Sequence, residues 1–243
     1  MANPIKIKCC VSSITCHDDN VFSVTLQPER RIPKFLPGQF MHIALDSYDP
    51  TIGYWPESRV FSIASAPSDN HISFAYSVVG PFTANMKRQL AVGKEVWVRL
   101  PYGHFTVKAS PDEEVVMVAG GTGVTPFISF ILHEMQCPSN LSVTLVYGVK
   151  KTSLFLFQDI LLEAIARLDR FQCLFFAEQI DHDEKRFSVR QGRLSLDGIW
   201  ETVSDPLNAA FYLSGPLEMI HSFSAGLEEK GVKAEKIRID DWE

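Results

Sequence analysis

The stretch VVMVAGGTGVTP, residues 115–126, decides how the second half of this chain folds. Five apolar residues run into three glycines and then a Thr-Pro pair. A short continuous apolar run of this kind suits a strand buried on both faces. Thr125 suits a helix N-cap, because its hydroxyl can accept from an orphan N–H, and Pro126 suits the first helical position, where its missing N–H costs nothing. Strand, glycine turn and helix start together make a loop that can approach an anion, since glycine lets backbone come close and the helix dipole favours negative charge. The stretch is not a P-loop, because G-x-x-x-x-G-K-[ST] is absent. It also departs from the G-x-G-x-x-G fingerprint. Gly121 and Gly123 supply G-x-G, but Pro126 stands at the third position, and the next strand, 141–147, brings no acidic residue.

Downstream, Phe127, Ile128, Ile131, Leu132 and Met135 recur at helical spacing. Strands are predicted at 141–147, 171–177, 209–213 and 236–239, and helices at 154–168 and 217–230, the last closed by Gly231 at a C′ position. Strands alternating with helices imply an α/β domain with a parallel sheet covered on both faces. Upstream the rhythm is different. Six strands, at 5–13, 21–26, 39–45, 59–64, 71–79 and 95–100, are separated by turn residues, with one short helix at 83–90 that Thr83 can cap. That pattern predicts a closed six-stranded antiparallel barrel. The segment 109–112 reads as the linker, giving domains at 1–108 and 112–243.

The 243 residues, 46% of them hydrophobic, are enough for two cores. The net charge of −6 is uneven. Residues 1–108 carry 11 Lys and Arg against 8 Asp and Glu, a balance of +3, and the remainder 12 against 21, a balance of −9. An acidic second half argues against nucleic acid as a partner. Five cysteines, Cys9, Cys10, Cys16, Cys137 and Cys173, form neither a disulfide framework nor a C-x-x-C or iron–sulfur spacing, and the histidines form no cluster, so no metal site is expected. No apolar run reaches membrane-spanning length, and the first residues resemble neither a signal peptide nor a myristoylation site, so a cytoplasmic protein without a transmembrane segment is expected.

A second stretch, RVFSIAS at 59–65, is odd for a plain barrel strand, because a fixed cation and hydroxyls intrude among apolar residues. With it the chain resembles the ferredoxin–NAD(P) reductase family, which includes cytochrome b5 reductases and the reductase components of bacterial oxygenases. The resembling motifs are PGQF at 37–40, RVFS at 59–62, GPFT at 80–83, GGTGVTP at 120–126 and SGPLEM at 214–219, in the family's order and spanning nearly the whole chain. The resemblance implies FAD in the barrel and NADH or NADPH on the α/β domain, the two facing one cleft. It implies that Arg59 pairs with the flavin pyrophosphate, where a guanidinium fork is well suited. Phe61 would stack on the isoalloxazine and Ser62 would hydrogen-bond flavin N5, with Ile63 and Val78 beside them. Gly80 and Thr83 would meet phosphate oxygens at a helix start. Gly121, Thr122 and Gly123 would let backbone approach the nicotinamide nucleotide, Thr125 and Pro126 would set the helix start, and Ser214, Gly215, Pro216 and Met219 would complete that side. Ser62 and Ser214 are the candidate catalytic residues, and Trp242, near the C-terminus, is the candidate cap on the flavin ring.

Two positions depart from the family pattern. Phe61 replaces Tyr, which keeps stacking and loses a phenol hydrogen bond. Ser214 replaces Cys at the nicotinamide face. The stretch FAEQ at 176–179 lacks the Ser-Arg pair with which NADP-using relatives grip a 2′-phosphate, which favours NADH, while Lys150, Lys151 and Arg193 leave NADPH open. With no cluster ligands in the chain, electrons are expected to pass to a separate ferredoxin, cytochrome or oxygenase component. Arg30, Arg31, Lys34, Lys87, Arg88 and Lys94 are candidates to dock an acidic carrier. The alternative reading is a non-catalytic or sensory flavin- and nucleotide-binding subunit of a redox complex.

Overall fold

Apolar residues at every second position build the first half of the chain. Ile7, Cys9 and Val11 point inward from strand β1 (Ile5–Asp18), Val24 and Leu26 from β2 (Val21–Pro28), and Val96, Val98 and Leu100 from β6 (Glu95–Tyr102). With β3 (Phe40–Ala44), β4 (Ser58–Ser62) and β5 (Ile72–Ser77) they form an antiparallel sheet in the order β4-β3-β6-β1-β2-β5. The outer strands meet just past β4. Ala64 N–H donates to Ser73 O at 2.7 Å, and Ser73 N–H donates to Ser65 Oγ at 3.2 Å. The result is the expected six-stranded barrel, nearly closed. The computed structural model describes residues 3–18, 20–110, 113–181 and 186–240, and the chain divides into two units, Met1–Thr106 and Val107–Glu243.

Strand β1 is longer than the sequence suggests. Its register against β2 shifts between Val11 and Ser13 and again between Cys16 and Asp18. Such bulges bend a strand and interrupt its two-residue rhythm, which is why alternation read from sequence stops at residue 13. The bends let β1 pair with β6 through residues 5–10 and with β2 through Asp18, curling the sheet. The short helix α1 (Pro81–Gln89) also begins earlier than predicted, with Gly80 at its N-cap. Pro81 takes the first helical position because its fixed φ is already helical.

In the second unit β7 (Glu114–Gly120) and β11 (Ala210–Ser214) are buried almost end to end. They form the centre of a wholly parallel sheet in the order β10-β9-β8-β7-β11-β12, with β8 (Ser142–Lys151), β9 (Phe171–Gln179), β10 (Val189–Gln191) and β12 (Ile237–Ile239). Among the described residues four helices accompany it: α2 (Thr125–Gln136), α3 (Gln158–Arg167), α4 (Leu196–Trp200) and α5 (Leu217–Glu229). Helix α5 ends as predicted, with Gly231 at φ 94. Gly231 N–H donates to Glu228 O and Val232 N–H to Leu227 O, the paired bonds of a Schellman cap.

Strand β10 and helix α4 are absent from the sequence prediction, being three and five residues long. Helix α3 starts at Gln158 rather than 154, because 152–154 close a 3-10 turn and Phe157 adopts a left-handed φ of 57. Thr125 is not an N-cap. It lies inside the first turn of α2, and its hydroxyl donates to Thr122 O at 2.7 Å. A 3-10 turn over Gly121–Val124 precedes α2, so the helical path begins before the threonine. Among the described residues no helix is long and apolar enough to cross a membrane.

Gly38 ties the barrel's entry to its end. Its φ is +91, and a Cβ there would lie 1.9 Å from the Phe105 carbonyl oxygen. Gly38→Ala combines strained backbone with an overlap that no rotamer relieves, so it should destabilise the first unit by about 2 kcal/mol or more. Urea unfolding followed by the barrel's fluorescence will show a lower midpoint than for a control such as Gly53→Ala, where a Cβ has positive φ but meets nothing within 4 Å.

Candidate functional site

Strand β4 carries the first group of residues. Alternation along it puts Arg59 and Phe61 on one face and Val60 and Ser62 on the other. Phe61 is half-buried, with its ring 5.3 Å from Phe74 and 6.3 Å from Tyr76. Ser62, 6% exposed, ends the strand. Ile63 is fully buried in the barrel core, and Val78 packs against that core half-buried.

Arg59 lies at the start of α1. Its guanidinium carbon is 5.1 Å from the Phe82 ring centroid, Nη1 donates to Ser58 O at 2.9 Å, and Nη2 pairs with Glu57 Oε1 at 2.9 Å. The ion pair is half exposed, and pairs of this kind contribute about 0–1 kcal/mol, so the guanidinium is easily redirected. Beside it, a Cβ on Gly80 would meet nothing within 4 Å, so the helix start is open. Thr83 does something other than present its hydroxyl outward. Its Oγ1 accepts from Val79 N–H at 3.0 Å and Gly80 N–H at 3.1 Å and donates to Gly80 O at 3.1 Å. Thr83 therefore shapes the turn, which leaves the Phe82 and Thr83 N–H groups as first-turn donors without an intrahelical acceptor.

The second group sits at the carboxyl edge of the parallel sheet. The sheet order reverses beside β7, and ligands of open α/β sheets bind at that switch point. The glycines there have separate jobs. A Cβ on Gly123 would lie 2.4 Å from Ser214 O and 2.6 Å from Gly215 Cα. A Cβ on Gly215, at φ +150, would lie 3.0 Å from the Gly120 Cα and backbone N. These glycines let the loops after β7 and β11 pack backbone against backbone, which differs from the expectation that Gly123 serves a ligand. Gly121 is different, because at φ +55 its missing side chain faces open space. Thr122 is half-buried beside it, and Pro126 is buried in α2. Met219 closes the cluster from α5, its sulfur 2.8 Å from where a Gly120 Cβ would be. Pro216 is the N-cap of α5.

Ser214, 2% exposed, ends β11, and its Oγ donates to Asp240 Oδ2 at 2.9 Å. Asp240 is 3% exposed and is missing from the sequence reading. Its acidic neighbours in the chain gave no signal that one carboxylate would be buried beside a particular serine. The sequence also passed over Tyr102, which stacks on Phe40 with Arg99 at 5.5 Å, and whose buried phenol oxygen has no hydrogen-bond partner among the described residues. Burial pushes that phenol's pKa up, with Arg99 opposing. Trp242 lies outside the described residues. A groove of about 430 Å³ in the first unit contains none of the expected cofactor residues, and Arg30, Arg31 and Lys34 line it together with Pro67 and Asn70.

Because Thr83 holds the turn before α1, Thr83→Ala should destabilise the first unit by about 1–2 kcal/mol, whereas Thr83→Ser should recover most of the loss. Chemical denaturation of the three proteins side by side measures both differences.

Comparison with known proteins agrees with this architecture. Residues 7–144 match the FAD-binding domain family, and residues 117–225 match the oxidoreductase NAD-binding domain family. The flavohemoprotein of Bordetella pertussis is 26% identical over 216 residues, covering 86% of this chain and 53% of the relative. The 2-halobenzoate 1,2-dioxygenase electron transfer component of Burkholderia cepacia is 26% identical, covering 85% and 58%. The chain thus spans little more than half the length of these curated relatives. Among solved structures, an Amycolatopsis cytochrome P450 reductase superposes with a TM-score of 0.81 at 18% identity, covering 98% of this chain and 70% of the other, which shows a shared fold. With an antiparallel barrel matched by a flavin-binding family, followed by a parallel sheet matched by a nicotinamide-nucleotide family, the chain belongs to the ferredoxin–NAD(P) reductase family.

Proposed function

We propose that this chain is an FAD-dependent NAD(P)H oxidoreductase that passes electrons to a separate one-electron carrier or oxygenase component. The observation that carries the reading is on β4 and α1, where a weakly paired guanidinium stacks on Phe82 at an open helix start, on the same strand as Phe61 and Ser62. That donor set fits a cofactor with an anionic pyrophosphate and a flat polar ring. Arg59 and the first-turn N–H groups of α1 would hold the phosphates, with Gly80 leaving room and Thr83 fixing the turn. Ser62 would hydrogen-bond the ring, and Phe61 would lie against it with Phe74 and Tyr76 behind. Ile63 and Val78 would support them from the core. FAD, when bound, supplies the exchange of a two-electron hydride for single electrons.

On the second unit, Gly121, Thr122 and the start of α2 at Thr125 and Pro126 would receive the nucleotide, with Gly123, Gly215, Pro216 and Met219 setting the shape of the floor. Ser214 would touch the nicotinamide. NADH is favoured over NADPH because Glu178, at the carboxyl end of β9, faces Arg193 at 3.5 Å. A carboxylate there repels a 2′-phosphate and occupies the cation that would otherwise grip it. For the electron acceptor, the groove lined by Arg30, Arg31 and Lys34 supports an acidic carrier. That one relative is named the electron transfer component of a dioxygenase supports a separate acceptor.

Purified protein should be yellow, and anaerobic rapid mixing with NADH should bleach it faster than mixing with NADPH. Absence of bleaching with both nucleotides contradicts the reading. Bound flavin that neither nucleotide bleaches would identify the second reading, a non-catalytic redox subunit, which the serine at 214 favours. Arg59→Ala should weaken FAD binding by about 1.5–3 kcal/mol, roughly 10- to 150-fold, measured by titrating apoprotein with FAD.

A further inference from the structure

The hydroxyl of Ser214 is already committed. β11 and β12 pair in parallel, Leu213 opposite Ile239, and Asp240 N–H donates to Leu213 O at 2.9 Å. That register places Asp240 beside Ser214, where both side chains are buried and Ser214 Oγ donates to Asp240 Oδ2 at 2.9 Å. A serine hydroxyl has one proton and two lone pairs, and a carboxylate has no proton to return. While the pair holds, Ser214 can only accept a further hydrogen bond. The serine backbone is fixed as well, because Gly123 packs directly on its carbonyl.

We propose that Asp240 is a positioning residue that fixes Ser214 as a hydrogen-bond acceptor, so that the site takes the amino group of the nicotinamide carboxamide and rejects rings that lack it. The proposal rests on the reading that the nicotinamide meets Ser214, and it adds the polarity of that contact. A carboxamide offers an NH2 donor and a carbonyl acceptor. An acceptor-only hydroxyl pairs with the NH2 and has nothing to give a carbonyl. Replacing the NH2 by methyl, as in the 3-acetylpyridine analogue of NAD, leaves a buried acceptor facing a methyl group. A site built around a hydrogen bond rejects such analogues strongly.

The test compares dissociation constants of NAD+ and oxidised 3-acetylpyridine adenine dinucleotide by titration calorimetry on the purified flavoprotein, for wild type, Asp240→Asn and Ser214→Ala. The wild type should bind NAD+ about tenfold or more tightly than the analogue. In Asp240→Asn the amide NH2 can donate to Ser214 Oγ, which frees the hydroxyl proton for the analogue's carbonyl, so the ratio should fall toward one. In Ser214→Ala the acceptor is gone and the ratio should also fall. A merely structural role for Asp240 would weaken both ligands together and leave the ratio unchanged, and that result overturns the proposal. If Asp240→Asn does not fold, Ser214→Ala decides alone, and a ratio equal to the wild type's overturns the proposal. Anaerobic bleaching by NADH is read in parallel. Bleaching with an unchanged ratio overturns this assignment alone, whereas no bleaching and no binding of either nucleotide overturns the oxidoreductase reading and this assignment with it.

Discussion

The loops that follow β7 and β11 meet as bare backbone, and the second unit's candidate site depends on that contact. A side chain at Gly123 would collide with the Ser214 carbonyl, and one at Gly215 would press on Gly120. Only glycine permits both approaches. With the loops locked together, the start of α2 and the end of β11 share the carboxyl edge of the sheet, where the strand order reverses. Gly121 is then the residue with left-handed φ and open space beside it. One glycine-rich segment therefore combines internal packing with an exposed turn, and its residues cannot be exchanged between those roles.

The barrel solves a comparable problem by bending. Strand β1 pairs with β6 over its first part and with β2 over the rest, and its two bulges supply the curvature. The curvature brings the ends of β4 and β5 within hydrogen-bonding range through Ala64 and Ser73. Closing the sheet leaves few unpaired edges. It also buries Ser62, whose sequence neighbours Ile63 and Ala64 are wholly inside.

The charges follow the same division. Arg59 holds a surface ion pair with Glu57 that contributes little, so it can turn to a more negative group at the start of α1. On the acidic second unit, Arg193 is opposed by Glu178, and Ser214 by Asp240. In both places a carboxylate restricts what its neighbour can do. One limits a cation's attraction for phosphate, and the other limits a hydroxyl to accepting.

The two-part architecture is legible in the sequence, because periodicity is local. Period-two alternation in β2 and β6, the unbroken apolar run of β7 and the Gly231 cap after α5 are each written in a few consecutive residues. The RVFS and GGTGVTP stretches were legible for the same reason, since their unusual residues are adjacent in the chain. Relations between distant residues emerge only once the chain is folded. Bulges hid the length of β1, a preceding 3-10 turn took Thr125 off the N-cap, and Thr83 was drawn into its own turn. The Gly123 contact with Ser214 spans 91 positions, and the Ser214–Asp240 pair spans 26 and depends on the register of β11 against β12. No local pattern encodes such a register, because strand pairing is set by the packing of the whole sheet.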